Sequence, residues 1–207
     1  MSTGTIAMPR RPVRPVQLVP PRPEPLVSNT RLAMLILVCA ESMLFAGLIG
    51  AYIVFRAKAS VWPPADLPRL PIFVTALNSL VLFSSAWPLT QALRVVRRPH
   101  SPELSRLLWT TAALGAVFLL VQGSEWVSLV GHGLTLGSGP FGGVFYVLIG
   151  CHALHVATAL VWLMLVAFAA SRGAYSLARF DGMEMCAIYW YFVCALWGVL
   201  FPMVYLN

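Results

Sequence analysis

LAMLILVCAESMLFAGLIGAYIVF, residues 32–55, is an almost unbroken apolar run with a single charge, Glu41, near its middle. About 20 residues at 1.5 Å each cross a hydrocarbon core of about 30 Å, so the run is long enough to span a bilayer. Backbone amides in lipid have no water to bond, and the segment must therefore be helical. Four further stretches have the same length and character: 70–93, 107–130, 140–170 and 185–206. The expected fold is an all-α membrane protein of five transmembrane helices over residues 31–207. The fourth run exceeds what a bilayer requires, which predicts tilt or a projecting end. Pro71 falls in a first turn, where its missing N–H costs nothing, whereas Pro88 lies inside the second run and predicts a kink.

Composition agrees with lipid as the solvent. Apolar residues make up 59% of the 207 and charged residues 10%, against about 25% charged in an ordinary soluble domain. The net charge of +7 does not form a folded basic face, and no nucleic-acid partner is expected. Instead the basic residues sort by side. Arg10, Arg11, Arg14, Arg22, Arg31, Arg94, Arg97, Arg98, Arg106, Arg172 and Arg179 flank one set of ends, while only Arg56, Lys58 and Arg69 flank the other. Positive residues stay inside, so the N-terminus is placed in the cytoplasm and the C-terminus in the periplasm.

Residues 1–30 carry seven prolines (Pro9, Pro12, Pro15, Pro20, Pro21, Pro23, Pro25) and read as an extended cytoplasmic arm. The pair Arg10-Arg11 has no short apolar core behind it and is not read as a cleaved export signal. Cys39, Cys151, Cys186 and Cys194 have neither metal-ligand nor c-type haem spacing, and are expected as small buried hydrophobes. No internal repeat divides the five helices into the two halves of an inverted-repeat transporter.

An ionisable group in mid-bilayer costs about 2.5–3.5 kcal/mol on insertion scales, so each one needs a reason. Glu41 sits about ten residues into its helix, and two readings compete. It is a protonatable group tied to proton movement, or a protonated acid bonded to a neighbouring helix. His152 and His155, at i and i+3, share a side of the fourth helix and offer either a partner for Glu41 or a haem ligand. A haem b site needs two axial ligands, and the remaining histidines, His100 and His132, lie in loops. Asn78, Gln122, Glu125 and Glu184 are expected in interhelical hydrogen bonds. Ala46-x-x-x-Gly50 and Gly47-x-x-x-Ala51 are small-residue pairs suited to close helix approach. Trp62, Trp87, Trp109, Trp126, Trp190 and Trp197 fall toward segment ends and read as interface anchors, with Trp162 deeper.

Motifs on all five segments then resemble one family. Glu41-Ser-Met-Leu-Phe45 with Ala51-Tyr52 and Arg56 is similar to its E-x-x-L-F…A-Y…R, and Leu77-Asn78-Ser79 with Ser84-Ser85 to its L-N-T…S-S. Leu114-Gly115, Phe118, Gln122 and Glu125-Trp126 follow its third pattern. Phe145-Tyr146…Gly150-Cys-His152-Ala-Leu-His155-Val156 follows its F-Y…G-x-H-x-x-H-V. Glu184 and Tyr189-Trp190-Tyr191-Phe192-Val193 follow its last.

The chain thus resembles subunit III of haem-copper terminal oxidases, in the shorter five-helix bacterial form. That resemblance implies a subunit not catalytic by itself, in a complex that reduces O2 with electrons from cytochrome c and pumps protons. It implies no metal in this chain, haem and copper in partner subunits, and bound phospholipid in a cleft. The partners would be catalytic subunit I, subunit II and a small subunit IV, in the bacterial inner (plasma) membrane. Glu41 matches the family's carbodiimide-reactive carboxylate, and His155 or His152 is expected as its partner. Tyr191 and Cys194 depart from the family's W-H-F-V-D, which has His and Asp there. Alternatives are a subunit-III-like protein of a nitric-oxide-reductase or quinol-oxidase complex, and a small proton-linked transporter.

Overall fold

The computed structural model describes residues 28–64, 67–96, 102–173 and 181–206. The arm of residues 1–27, His100, Arg97, Arg98, Arg179 and Asn207 lie outside the described residues. The described chain is helical: α1 (Asn29–Lys58), α2 (Ile72–Ser84), α3 (Ala86–Val95), α4 (Pro102–Gly131), α5 (Gly139–Ser171) and α6 (Asp181–Tyr205). By length and apolar composition these make five spans, with α2 and α3 forming one.

Local chemistry sets the ends. Ser28 caps α1 by accepting the amide of Arg31, and Arg56 and Lys58 occupy its last turn, where cations complement the helix dipole. The break between α2 and α3 falls at Ser85, three residues before Pro88. A proline removes one i→i−4 bond and its ring crowds the carbonyl four residues back, here Ser84. The expected kink therefore takes the form of a one-residue interruption. Past Ser171, Gly173 adopts φ 72°, a left-handed turn that ends α5 at little steric cost.

The core is centred on α4, α5 and α6. α4 packs on α2, α3 and α5, and α6 touches each of α1, α2, α3 and α5, whereas α1 packs only on α5 and α6. In its most apolar window α1 is 11% buried against 50% for α6, so α1 is a peripheral stave and α6 a central one. Lipid tails are as apolar as leucine, so helices associate here through close packing and hydrogen bonds rather than hydrophobic expulsion.

Three expectations fail at this level. Cys39 is not a buried hydrophobe: it lies on the peripheral helix α1 and is exposed from the bundle, whereas Cys186 and Cys194 are buried. Trp190 and Trp197 are not interface anchors: both are fully buried, and their indole N–H groups bond Ser85 Oγ at 2.9 Å and Ser79 Oγ at 2.8 Å. Each serine spends its own hydrogen on a carbonyl of its helix, Ser79 on Thr75 and Ser85 on Leu82, which leaves a lone pair for the indole. A buried indole usually finds such an acceptor, and here Ser79 of α2 and Ser85 at the α2–α3 break supply them. Nor do Gly47 and Gly50 mark close approach, since a Cβ at either would meet nothing within 4 Å. A Cβ would collide instead at Gly115 of α4, against the Trp190 ring edge, and at Gly142 of α5, against the Thr135 carbonyl.

Candidate functional site

α1 and α5 bring Glu41 and His155 together. His155 Nε2 lies 2.6 Å from Glu41 Oε2, and His155 Nδ1 lies 2.6 Å from the Cys151 carbonyl one turn earlier on α5. A carbonyl only accepts, so Nδ1 carries the hydrogen and donates it. The tautomer is thereby fixed, and Nε2 faces the carboxyl. One further proton then sits between Nε2 and Oε2. Whether it resides on oxygen (acid and neutral imidazole) or on nitrogen (carboxylate and imidazolium), the pair has no net charge. A neutral pair avoids the cost of an isolated ion in oil, which is the physical reason an acid is tolerated at this depth.

The pair is set at the bundle's flank rather than in its centre. Side-chain exposure is 21% for Glu41 and 12% for His155, and the Phe45 ring meets the imidazole edge-on at a centroid distance of 5.1 Å. α1 around it presents Leu37, Met43 and Leu44 outward from the chain. The site can hold, orient and exchange one proton near a surface that lipid or another subunit would cover.

His152, one turn away, points elsewhere. It is 1% exposed and stacks on Trp197 at 5.1 Å and 19°, and neither ring nitrogen has a hydrogen-bond partner. Of the two histidines only His155 reaches Glu41. Among the described residues no group of three His, Cys, Asp or Glu side chains is placed to hold a metal ion.

The other polar residues form a second, deeper cluster. Gln122 Nε2 donates to Glu125 Oε2 at 3.3 Å and to Tyr205 Oη at 3.1 Å, tying α4 to α6. Thr75 Oγ1 of α2 has one hydrogen for two neighbours at 2.9 Å, the Pro71 carbonyl and Glu125 Oε2. Asn78 Nδ2 donates to the Phe118 carbonyl at 3.0 Å. Glu184 instead pairs loosely with Arg31 at 3.7 Å, an exposed contact between the ends of α6 and α1. Tyr191 and Cys194 both turn to the second span: Tyr191 Oη lies 2.8 Å from Thr90 Oγ1, and Cys194 Sγ lies 3.9 Å from the Leu82 carbonyl.

Thr75, Ser79, Ser85 and Tyr205 complete these networks, and the sequence reading did not single out Thr75 or Tyr205. Hydroxyls at 75, 79 and 85 recur along the inward side of one span, and that spacing was the available signal.

A family model described as cytochrome c oxidase subunit III matches residues 24–207. A cytochrome c oxidase subunit 3 of Thermostichus vulcanus is 34% identical over 84% of this chain and 86% of its own length. One of Synechocystis sp. is 36% identical over 81% and 71%, and a probable one of Mycobacterium leprae is 31% identical over 80% and 82%.

Proposed function

The chain belongs to the cytochrome c oxidase subunit III family, and from that premise we propose that it is the accessory, non-catalytic subunit of a proton-pumping terminal oxidase. It works in aerobic respiration in a bacterial plasma membrane, with its N-terminus inside by the arginine distribution. Haem and copper reside in the partner subunits. This chain clasps catalytic subunit I beside subunit II and a small subunit IV, retains phospholipid between them, and supports proton uptake.

The observation that carries the reading is the Glu41–His155 pair at 2.6 Å on the sparsely packed α1 flank. A pair that is neutral as a unit, partly exposed, and built around a single shared proton suits a group that buffers protons beside a larger pump. In this role Glu41 and His155 hold and reorient a proton at Oε2 and Nε2, and the Cys151 carbonyl fixes the ring. The chemistry on O2 belongs to the partner's metals.

The test is Glu41→Gln in the assembled oxidase. Turnover before inactivation and the rate of proton uptake should both fall while the spectrum of the partner's haems stays normal. If stability, turnover lifetime and uptake all match the unaltered complex, the carboxyl has no role beyond packing.

A further inference from the structure

The second span is weakened over one short stretch. Pro88 offers no N–H to the Ser84 carbonyl. Ser84 and Ser85 turn their hydroxyls back onto the carbonyls of Val81 and Leu82, and Thr90 turns its own onto that of Ala86. Hydroxyls bonded back in this way compete with the helical ladder and bend helices. Proline and three such hydroxyls thus fall together around the break at Ser85, which makes it a joint.

α6 holds the two sides of this joint unequally. The buried indoles of Trp197 and Trp190 donate to Ser79, within α2, and to Ser85, at the break itself. Past the break one bond remains. Thr90 gives its hydrogen to the Ala86 carbonyl at 2.7 Å, and a carbonyl only accepts. In the 2.8 Å contact between Thr90 Oγ1 and Tyr191 Oη, the phenol is therefore the donor. Both side chains are half-buried. Among the described residues this is the one side-chain hydrogen bond that ties α3 to another helix. Cys194, with Sγ 3.9 Å from the Leu82 carbonyl, adds a weak contact on the α2 side. α3 otherwise rests on α4 and α6 by packing, with Leu89, Ala92 and Val95 buried. Apolar packing is non-directional and lets one helix slide on another, whereas a hydrogen bond fixes its angle.

We propose that Tyr191 is a latch on this joint, and that α3 swings about Ser85 when its bond to Thr90 opens. The ten residues of α3 are about 15 Å long. A bend of about 20°, the scale of a proline kink, carries the far end of α3 and Arg94 by about 5 Å. Tyr191 is also a position where the chain departs from the histidine of its family, so the latch is a property of this chain rather than one inherited with the fold. It involves neither Glu41 nor His155 and stands apart from the oxidase reading.

Hydrogen–deuterium exchange of the intact chain in nanodiscs, parent against Tyr191→Phe, reads the latch. Amides of residues 86–95 should exchange about 2- to 10-fold faster, the scale of one neutral hydrogen bond, while those of 72–84 keep the parent rate. Thr90→Val removes the acceptor and should give the same acceleration, and the double variant should add nothing to either single one. Nitroxides at Arg94→Cys and Ser171→Cys, with Cys39 and Cys151 replaced by alanine, measure the swing. Tyr191→Phe should add a second distance population displaced by up to about 5 Å.

Unchanged exchange, or acceleration spread equally over 72–84, would overturn the proposal. So would faster exchange with a single unshifted distance, because α3 would then be fraying in place. Should Tyr191→Phe fail to assemble, Thr90→Val opens the same bond from the other side and decides. Glu41→Gln should leave both readouts unaltered, which separates this test from that of the oxidase role.

Discussion

Replacing Gly115 by alanine adds one methyl group to a 207-residue chain, yet the packing around it predicts a large effect. The new Cβ would meet the Trp190 ring edge closer than carbon atoms tolerate, with Leu160 Cδ1 at 3.5 Å on another side. Trp190 has nowhere to retreat, being fully buried with its indole N–H held by Ser85 Oγ at 2.9 Å. Overpacking of this kind costs about 1–3 kcal/mol. If the ring moves to relieve it, a hydrogen bond of about 0.5–1.5 kcal/mol goes too. The expected loss is about 2–4 kcal/mol, which is roughly 30- to 1,000-fold in the unfolding equilibrium.

SDS titration of the purified chain in mixed micelles, followed by tryptophan fluorescence, reads this directly. Gly47→Ala is the control: with open space at its Cβ it should be neutral or stabilising by about 0.5–1 kcal/mol, the helix-propensity gain of alanine over glycine. Trp190→Phe removes the ring atoms that clash, so the double variant should be less destabilised than the sum of the two singles. A Gly115→Ala protein within about 0.5 kcal/mol of the parent, with no coupling to Trp190→Phe, would refute the packing argument.

Further outcomes follow from the same contacts. Thr75→Val removes a hydroxyl 2.9 Å from Glu125 Oε2 and should lower stability by about 1–3 kcal/mol in the same titration. Trp197→Phe keeps the aromatic stack beneath His152 but gives up the bond to Ser79 Oγ, and should cost about 1 kcal/mol, less than Trp197→Ala by several-fold. A membrane-permeant maleimide should modify Cys39, which is exposed from the bundle, much faster than buried Cys186 and Cys194. A periplasm-dependent reporter enzyme fused after Asn207 should be active, and the same reporter at the N-terminus inactive, if arginine bias sets orientation.

The spans were legible because the bilayer enforces them: a chain that must satisfy every backbone amide internally shows its helices as apolar length. Glu41 was legible for the same reason, since a carboxyl in oil stands out against leucine. What the sequence left open was direction around each helix. His152 and His155 are equally good partners by spacing, yet a 60° difference around α5 buries one against Trp197 and aims the other at α1. Trp190 and Trp197 misled for a related reason. Both lie well inside α6, and Ser79 and Ser85 of the second span offer their indoles acceptors in the bundle's interior. Gly47 falls in a small-residue pair, yet it is Gly115 whose missing Cβ makes room for Trp190. The cluster of Thr75, Gln122, Glu125 and Tyr205 joins three helices, and its members, 50 and 83 residues apart across its longest bonds, share no local pattern.

The Glu41–His155 pair is tested most directly by a double-variant cycle on the assembled oxidase, scoring catalytic turnovers before inactivation for Glu41→Gln, His155→Asn and the two combined. Two side chains sharing one proton act as a unit, so each single change should shorten the working lifetime similarly and the pair should do no further harm. Additive effects, or a His155→Asn complex as durable as the parent, would contradict it.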